Sequence, residues 1–338
     1  LFTSRWITHL CASNFVFLSG ISIYLLQRKQ NNLRDTSFFL LTRGLWLIVV
    51  EVVIVSFLLG LSYQLFVLQV IWVIGWSMVF FSLIIRLPRK IIFITSAIII
   101  AGHNLIPNSP TDNPWGILAG IFQHSPFVIM NGQGVPFVLV AYTIIPWLGV
   151  MMAGYCVGEW MTEAAEKAYQ KLWKTGVAML VAFVVLRLLN FYGDPAPWAV
   201  QPRGWVYSFL SFINVSKYPP SLQFVLLMVG IGMILLALFT RVKGSATEWL
   251  RVFGQVPFFY YILHLLLIAV AAFAWTRISF GRYVNLGFAS PAEWPKGYEP
   301  SLLRVIIVWI AVVVILYFPC RWFANYRRGH TTRWLSYL

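Results

Sequence analysis

The chain has 338 residues, of which 60% are hydrophobic and only 10% charged, with a formal net charge of +15. A soluble domain usually carries about 25% charged residues, so this chain has too little polar surface to cover itself in water. That excludes a water-soluble globular fold and leaves lipid as the solvent, where a spanning chain must be helical or a closed barrel.

Long unbroken apolar runs, rather than ten-residue alternation, select an all-α, polytopic transmembrane helical bundle. Taken in chain order, the runs predict about nine spans, near 9–27, 44–62, 66–86, 91–106, 136–158, 176–193, 221–240, 256–276 and 302–320. They are expected to form a single domain over 1–338. The short segment 30–42 mixes charge with Phe38, Phe39 and Leu40, and is expected to lie in the membrane interface as the entry to the second span.

Basic residues set the expected orientation. One set of alternate loops, with the C-terminal tail, holds seventeen of the 25 lysines and arginines, among them Arg28, Arg86, Arg89, Lys90, Lys167, Lys171, Arg241 and Arg327. This set and the C-terminus are expected to face the cytoplasm. The positive charge then reflects topology and contact with anionic lipid headgroups, and no nucleic acid is expected as a partner. Nine spans with a cytoplasmic C-terminus place Leu1 outside with no signal sequence before it, so at least one further N-terminal span is expected.

Cys11, Cys156 and Cys320 are far apart and show no metal-ligand spacing, so no metal is expected. No nucleotide-binding glycine fingerprint and no Gly-x-Ser-x-Gly elbow occurs.

The informative residues are the polar ones in apolar surroundings. His9 stands at the outer end of the first span, and His103 and Asn104 at the outer end of the fourth. His124 and Asp112 lie in the loop that follows. Lys217 and Tyr218 open the seventh span in Lys217-Tyr218-Pro219-Pro220-Ser221, and His264 sits near the middle of the eighth. Each histidine also suits a structural role, bonded to a nearby carbonyl. Arg187, Arg43 and Glu51 suit snorkelling or pairing. Lys217 is more pointed: a cation is unfavourable at a helix N-terminus, which suggests that it is kept for an anion or a developing oxyanion. His9, His103, Lys217 and His264 are expected to converge on one outward-facing cavity.

Several blocks taken together resemble a family. Trp6-Ile7-Thr8-His9-Leu10-Cys11-Ala12-Ser13-Asn14-Phe15 is similar to the second-helix signature of bacterial relatives of heparan-α-glucosaminide N-acetyltransferase. The likeness continues through Arg43-Gly44-Leu45-Trp46-Leu47, Gly102-His103-Asn104-Leu105, Ile145-Pro146-Trp147-Leu148-Gly149-Val150-Met151, Lys217-Tyr218-Pro219-Pro220-Ser221-Leu222 and Phe253-Gly254-Gln255-Val256-Pro257 to His264. The resemblance implies a transmembrane acyltransferase that takes an acetyl group from cytoplasmic acetyl-CoA and delivers it to a sugar amine or hydroxyl across the membrane. It also implies a bacterial inner membrane, surrounding lipid, a sugar or glycan acceptor, and a second copy of the chain as a candidate partner. In the lysosomal enzyme the proposed catalytic histidine lies in a loop between the first two helices, which is largely absent here, and His9 falls where that enzyme has an aspartate. The family's histidine is then expected upstream of Leu1, or its role passes to another residue.

For acyl transfer, His103 or His9 is the expected general base, with Asn104 and Lys217 stabilising charge on the acyl carbonyl. Tyr218, His264, His124 and Asp112 are expected to contact substrate. The alternative reading is a transporter or flippase for a glycan or lipid-linked sugar, with the same polar groups lining its path; a non-catalytic membrane scaffold is a third.

Overall fold

The computed structural model describes residues 2–106, 113–123, 127–242, 244–289, 291–330 and 335. The fold is predominantly helical and divides into two compact units. One comprises Leu1–Glu51 and Leu68–Arg241, the other Val52–Val67 and Val242–Leu338.

In the first unit, α1 (Phe2–Gln30) ends on Arg28 and Lys29, cations that suit the negative end of the helix dipole. The turn that follows needs only two residues. Asn31 adopts φ 50°, a left-handed conformation that asparagine tolerates, and the Asn32 side chain caps α2 (Leu33–Val50) by accepting from the Arg34 N–H at 2.9 Å. From Leu33 the segment 30–42 leads directly into the second span. It is the first part of a continuous helical stretch, Leu33–Gly60, which passes through a π-helical turn at Glu51–Val55 and closes with α3 (Ser56–Gly60).

A short strand, β1 (Phe66–Leu68), ends with the Leu68 carbonyl accepting from the Ala141 N–H at 3.0 Å. After α4 (Val70–Ile84) and α5 (Arg89–Gly102) comes a 3-10 turn, His103–Leu105, and then α6 (Pro114–Phe122). Strands β2 (Phe127–Met130) and β3 (Pro136–Val140) pair antiparallel, with Phe127 opposite Val140. The run expected as a span from 136 is thus strand and turn up to Thr143. The helix begins at α7 (Ile144–Val157), because Pro136-Phe137-Val138-Leu139-Val140 finds a partner strand. The unit closes with α8 (Ala165–Leu189), α9 (Trp205–Phe212) and α10 (Leu222–Phe239).

The second unit holds α3 with α11 (Ser245–Gln255), α12 (Pro257–Phe280) and α13 (Leu302–Gly329). Its core is Val256, Cys320, Phe323, Ala324 and Leu335, against which Phe259 stacks on Phe323 at 4.2 Å. The carbonyls of α3 are taken up by later loops: Asn285 donates to Leu59 at 2.9 Å and the Tyr283 hydroxyl to Gly60 at 3.3 Å.

Among the described residues, seven helices are long and apolar enough to cross a membrane: Arg5–Gln30, Leu33–Gly60, Ile144–Thr162, Ala165–Leu189, Leu222–Phe239, Pro257–Phe280 and Leu302–Gly329. The two remaining expected spans, 66–86 and 91–106, are the 15-residue α4 and the 14-residue α5. At 1.5 Å rise per residue these reach roughly 21–23 Å, short of about 30 Å of hydrocarbon.

Three helix pairs in the first unit cross with glycine against backbone. A Cβ on Gly20 of α1 would overlap the Met151 carbonyl of α7, and one on Gly154 of α7 would overlap the Phe17 carbonyl of α1. Gly44 of α2 and Gly75 of α4 face each other in the same way, with a Cβ on either meeting the other's carbonyl oxygen at 2.6 and 2.8 Å. Gly176 of α8 faces Gly230 of α10. Lipid gives helices no hydrophobic reason to associate, so close backbone approach supplies the packing. By contrast, a Cβ on Gly102 meets nothing within 4 Å. Gly20→Ala and Gly154→Ala should each lower the thermal unfolding midpoint in detergent, by an overpacking penalty of about 1–3 kcal/mol. Gly102→Ala should leave it unchanged or raise it, and equal effects at all three positions would contradict the close crossing.

Candidate functional site

The site is assembled where the start of α1, the end of α5 and the start of α10 meet. It is organised around a short loop, Ser216–Ser221, which precedes α10. The Ser221 N–H donates to the Ser216 carbonyl at 2.9 Å, Lys217 and Pro220 bridge across the loop, and the Tyr218–Pro219 peptide is cis.

One carboxylate holds both ends of this loop. Asp194 Oδ2 accepts from the Ser216 N–H at 2.8 Å and from Ser221 Oγ at 2.6 Å; its Oδ1 accepts from Ser216 Oγ at 3.1 Å and from the Ala196 N–H at 2.9 Å. Its counter-ion is Arg187, whose Nη1 lies 3.9 Å from Oδ1; the two side chains are 1% and 0% exposed. Arg187 spends its whole guanidinium on this corner. Nε donates to the Phe212 carbonyl at 2.8 Å, Nη1 to Ala196 O at 2.9 Å and Gln223 Oε1 at 3.1 Å, and Nη2 to the carbonyls of Ser211 at 3.1 Å and Asn214 at 2.9 Å. The planar, five-donor fork of arginine fits this task, and lysine could not replace it.

The N-terminus of α10 is fully engaged. Leu222 N–H donates to Asn104 Oδ1 at 3.0 Å, Gln223 N–H to Gly193 O at 2.9 Å, and Phe224 N–H to Ser221 Oγ at 3.0 Å. These donors are therefore not open to an anion, and the positive group this helix start presents is the Lys217 ammonium. Asn104 contributes as the cap that ties α5 to α10.

Lys217 is buried and has no acidic partner among the described residues. Its Nζ stands over two aromatic rings, 4.9 Å from the Tyr218 centroid and 5.3 Å from that of Tyr142, and the two tyrosines pack edge to face at 5.4 Å. Such cation–π contacts only partly replace hydration. Lys217 is therefore a buried basic group held by aromatic faces, without the carboxylate that usually balances one.

The two histidines of this unit differ in one decisive respect. His103 Nε2 meets the Pro220 carbonyl at 2.8 Å, while Nδ1 meets the carbonyls of Ile99 at 3.0 Å and Ile100 at 3.2 Å. Both nitrogens lie against backbone oxygens, and because a neutral imidazole donates through only one of them, the tautomer that donates to Pro220 braces the Lys217 loop against α5. Its own carbonyl accepts from Gln123 Nε2 at 2.7 Å. His9 is also buried but makes only an edge contact with Phe224 at 5.5 Å, and its ring nitrogens have no partner among the described residues. Lys217 and Arg5 both act on His9 electrostatically. The first turns of α1 are pinned beside the loop by Trp6 Nε1, which donates to Ile213 O at 3.4 Å, and by Arg5, which donates to the Asn214 side chain.

Three of the expected residues, His9, His103 and Lys217, thus gather at one place with Asn104 and Tyr218. His264 belongs to the second unit, where it stacks on Tyr260 at 5.4 Å and its Nδ1 faces the Tyr260 carbonyl at 3.3 Å. His124 and Asp112 lie outside the described residues. Sequence reading missed Tyr142, Asp194 and Gln223, and took Trp147 only as part of a block. Trp147 is fully buried against Tyr142 and Phe224, at 5.3 and 6.3 Å, and its Nε1–H finds no partner among the described residues. With 16 tryptophans in the chain, several of them in apolar runs, nothing in the sequence singled Trp147 out, and Asp194 was hidden in a turn sequence. Among the described residues no group of three or more His, Cys, Asp or Glu could hold a metal.

A cavity of about 490 Å³ runs along the same helices. At one end it is lined by Arg89, Lys90, Glu159 and Trp160, and along its length by Phe93, Ile94, Ala153, Val157, Met179, Val229 and Met233. At the other end stand Ile100, whose carbonyl faces His103, and Val225, which follows the Phe224 that packs on His9. Arg89 pairs with Glu159 at 2.6 Å, while Lys90 has no acidic partner among the described residues.

These features define a multi-pass helical membrane protein with a buried lysine and two buried histidines near the start of α10, and with an apolar cavity along neighbouring helices whose lining does not include them. Residues 2–196, more than half of the chain, match the family described as heparan-alpha-glucosaminide N-acetyltransferase, catalytic, and the chain belongs to that family of membrane acetyltransferases. No curated protein matches the chain. The matched region includes His9, His103, Asn104, Arg187 and Asp194, and ends before Lys217.

The two kinds of polar residue should separate on stability. His103→Ala leaves the Pro220 carbonyl without its partner, while the Ile99 carbonyl still accepts from the backbone N–H of residue 103, and should cost about 1–3 kcal/mol. Lys217→Met removes an uncompensated buried cation and should leave the thermal midpoint unchanged or higher. Scanning fluorimetry in detergent measures both, and the reverse order would contradict this assignment.

Proposed function

We propose that the protein transfers an acetyl group from acetyl-CoA on the cytoplasmic side to a sugar amine or hydroxyl on the opposite side of the membrane. The observation that carries this reading is the pairing of His9, a buried histidine with free ring nitrogens, with Lys217, a buried cation without an acidic partner. Family membership supports the reaction type.

Acyl transfer to an amine or hydroxyl needs a base for the acceptor proton and a positive group where charge develops on the acyl oxygen. His9 takes the acceptor proton, since its ring nitrogens have no partner among the described residues, whereas both ring nitrogens of His103 lie against backbone carbonyls. Lys217 stands for the acyl oxygen. His103 and Asn104 hold the Lys217 loop and α10 in register.

Acetyl-CoA supplies the acetyl thioester, and the residues present fit it. Lys90, which has no acidic partner among the described residues, offers positive charge for the phosphates at one mouth of the cavity, and the apolar lining from Phe93 to Ile100 suits a thioester-bearing arm. The span from Arg89 to Ile100 on α5 covers roughly 16 Å along the helix, most of the way from the basic end to the His103 brace. The cluster Arg86, Arg89, Lys90, Lys167, Lys171 and Lys174 supports a cytoplasmic position for that mouth. A path for a whole glycan would need polar groups along its walls. Between its ends this cavity is lined almost entirely by apolar side chains, which favours transfer over transport.

The test uses the full-length protein in sealed vesicles, with radiolabelled acetyl-CoA on one side and glucosamine on the other. Wild type should label the sugar. His9→Gln and Lys217→Met, both folded, should each lose on the order of 10²-fold or more in turnover. Near wild-type turnover in both variants would sink this assignment.

A further inference from the structure

We infer that Asp194 and Arg187 are positioning residues for Lys217. Asp194 clamps the loop on both sides of the lysine, and Arg187 neutralises Asp194 so that the ammonium keeps its charge for substrate. The inference rests on the acetyl-transfer reading above and names the residues that set its geometry.

The first argument is connectivity. Ser216 immediately precedes Lys217, and Ser221 closes the same loop four residues later. Asp194 bonds the backbone N–H and hydroxyl of Ser216 and the hydroxyl of Ser221 at once. No other side chain among the described residues holds both ends of the loop. The fourth bond, from the Ala196 N–H, fixes the carboxylate to its own turn.

The second argument is electrostatic. A buried carboxylate that grips the residue next to a buried ammonium would normally pair with that ammonium and quench it. Here each oxygen of Asp194 already accepts two hydrogen bonds, and its charge is balanced by Arg187 at 3.9 Å, with both side chains essentially inaccessible. Arg187 in turn fastens the carbonyls of Ser211, Phe212 and Asn214, the segment leading into the loop. A plain structural ion pair would need neither the grip on both loop ends nor the exclusion of Lys217 from pairing.

The third argument is that an isosteric change cannot preserve the clamp. In Asp194→Asn one oxygen becomes an NH₂ donor. Placed at Oδ2 it faces the Ser216 N–H, and placed at Oδ1 it faces the Ala196 N–H, so in either orientation two donors oppose each other.

The experiment compares wild type, Asp194→Asn and the milder Ser216→Ala in the full-length protein, with two readouts. One is steady-state acetyl transfer. The other is the rate at which a small amine-reactive reagent modifies Lys217, followed by peptide mass spectrometry. Asp194→Asn should lower kcat by about 10²-fold, as expected when a group at the reacting centre is displaced by an ångström. KM for acetyl-CoA should stay within about twofold, because the donor cavity is untouched, and Lys217 modification should accelerate severalfold. Ser216→Ala, which removes one bond and keeps the fold even if Asp194→Asn does not, should move kcat and labelling the same way by a smaller factor. Unchanged Lys217 labelling in a folded variant, or a rise in KM with kcat preserved, would overturn the inference. If wild type shows no acetyl transfer, the functional reading fails, while the labelling readout still decides whether Asp194 positions Lys217.

Discussion

Close backbone contact at glycine is the constraint on which the first unit depends. In lipid the helices gain nothing by hiding apolar faces from one another, so their packing comes from near approach and from hydrogen bonds across the interface. Gly20 and Gly154 let α1 lie directly on α7, and Gly176 and Gly230 do the same for α8 and α10. Asn14 then joins α1 to α10, its amide donating to Leu10 O at 2.8 Å and Met228 O at 3.2 Å, in the space that Gly232 leaves free. These crossings fix where the ends of the helices fall, and His9, Tyr142, Arg187 and Lys217 all sit at or near those ends. The site is therefore a consequence of how closely the bundle can close.

Given that frame, the chemistry turns on which charges are balanced and which are not. Arg89, Lys171 and Arg241 all have carboxylate partners in the first unit, within 4 Å. Arg187 has one as well, and exhausts its donors on it and on backbone carbonyls. Lys217 has only aromatic faces. Holding an ammonium in that state works against stability, and such features concentrate where function needs them. The saturated N-terminus of α10 sharpens the contrast, because it removes the competing explanation that backbone amides serve the anion.

The membrane class and the helical architecture were readable from the long apolar runs, and polar residues in those runs pointed to His9, His103 and Lys217; His264, expected with them, belongs to the second unit. What these residues do was less readable. His103 and His9 look alike in sequence; they separate only when Pro220, 117 positions away, is seen to occupy the His103 ring. Asp194, in Gly193-Asp194-Pro195, reads as an ordinary turn acid, and its meaning comes from Ser216, Ser221 and Arg187 folding onto it. Apolar periodicity also misassigned 136–140, since a short apolar run does not distinguish a strand from the start of a helix. It overextended 66–86 and 91–106, where turns bounded by Gln69, Pro88 and Gly102 cut the helices short. The segment 30–42 leads into the second span as its charges and aromatics suggested, and the Asn32 cap shows where the helix that runs on to Gly60 begins.

The central claim is that Lys217 and His9 flank the reacting acyl carbon at the inner end of the apolar cavity. The most direct measurement is an experimental structure of the full-length protein with a non-hydrolysable acetyl-CoA analogue bound. The account predicts the acyl oxygen within hydrogen-bond reach of Lys217 Nζ, a His9 ring nitrogen facing the acyl carbon, and the phosphates near Lys90. An analogue whose acyl group lies away from Lys217, or whose arm bypasses the cavity between Arg89 and Ile100, would contradict it.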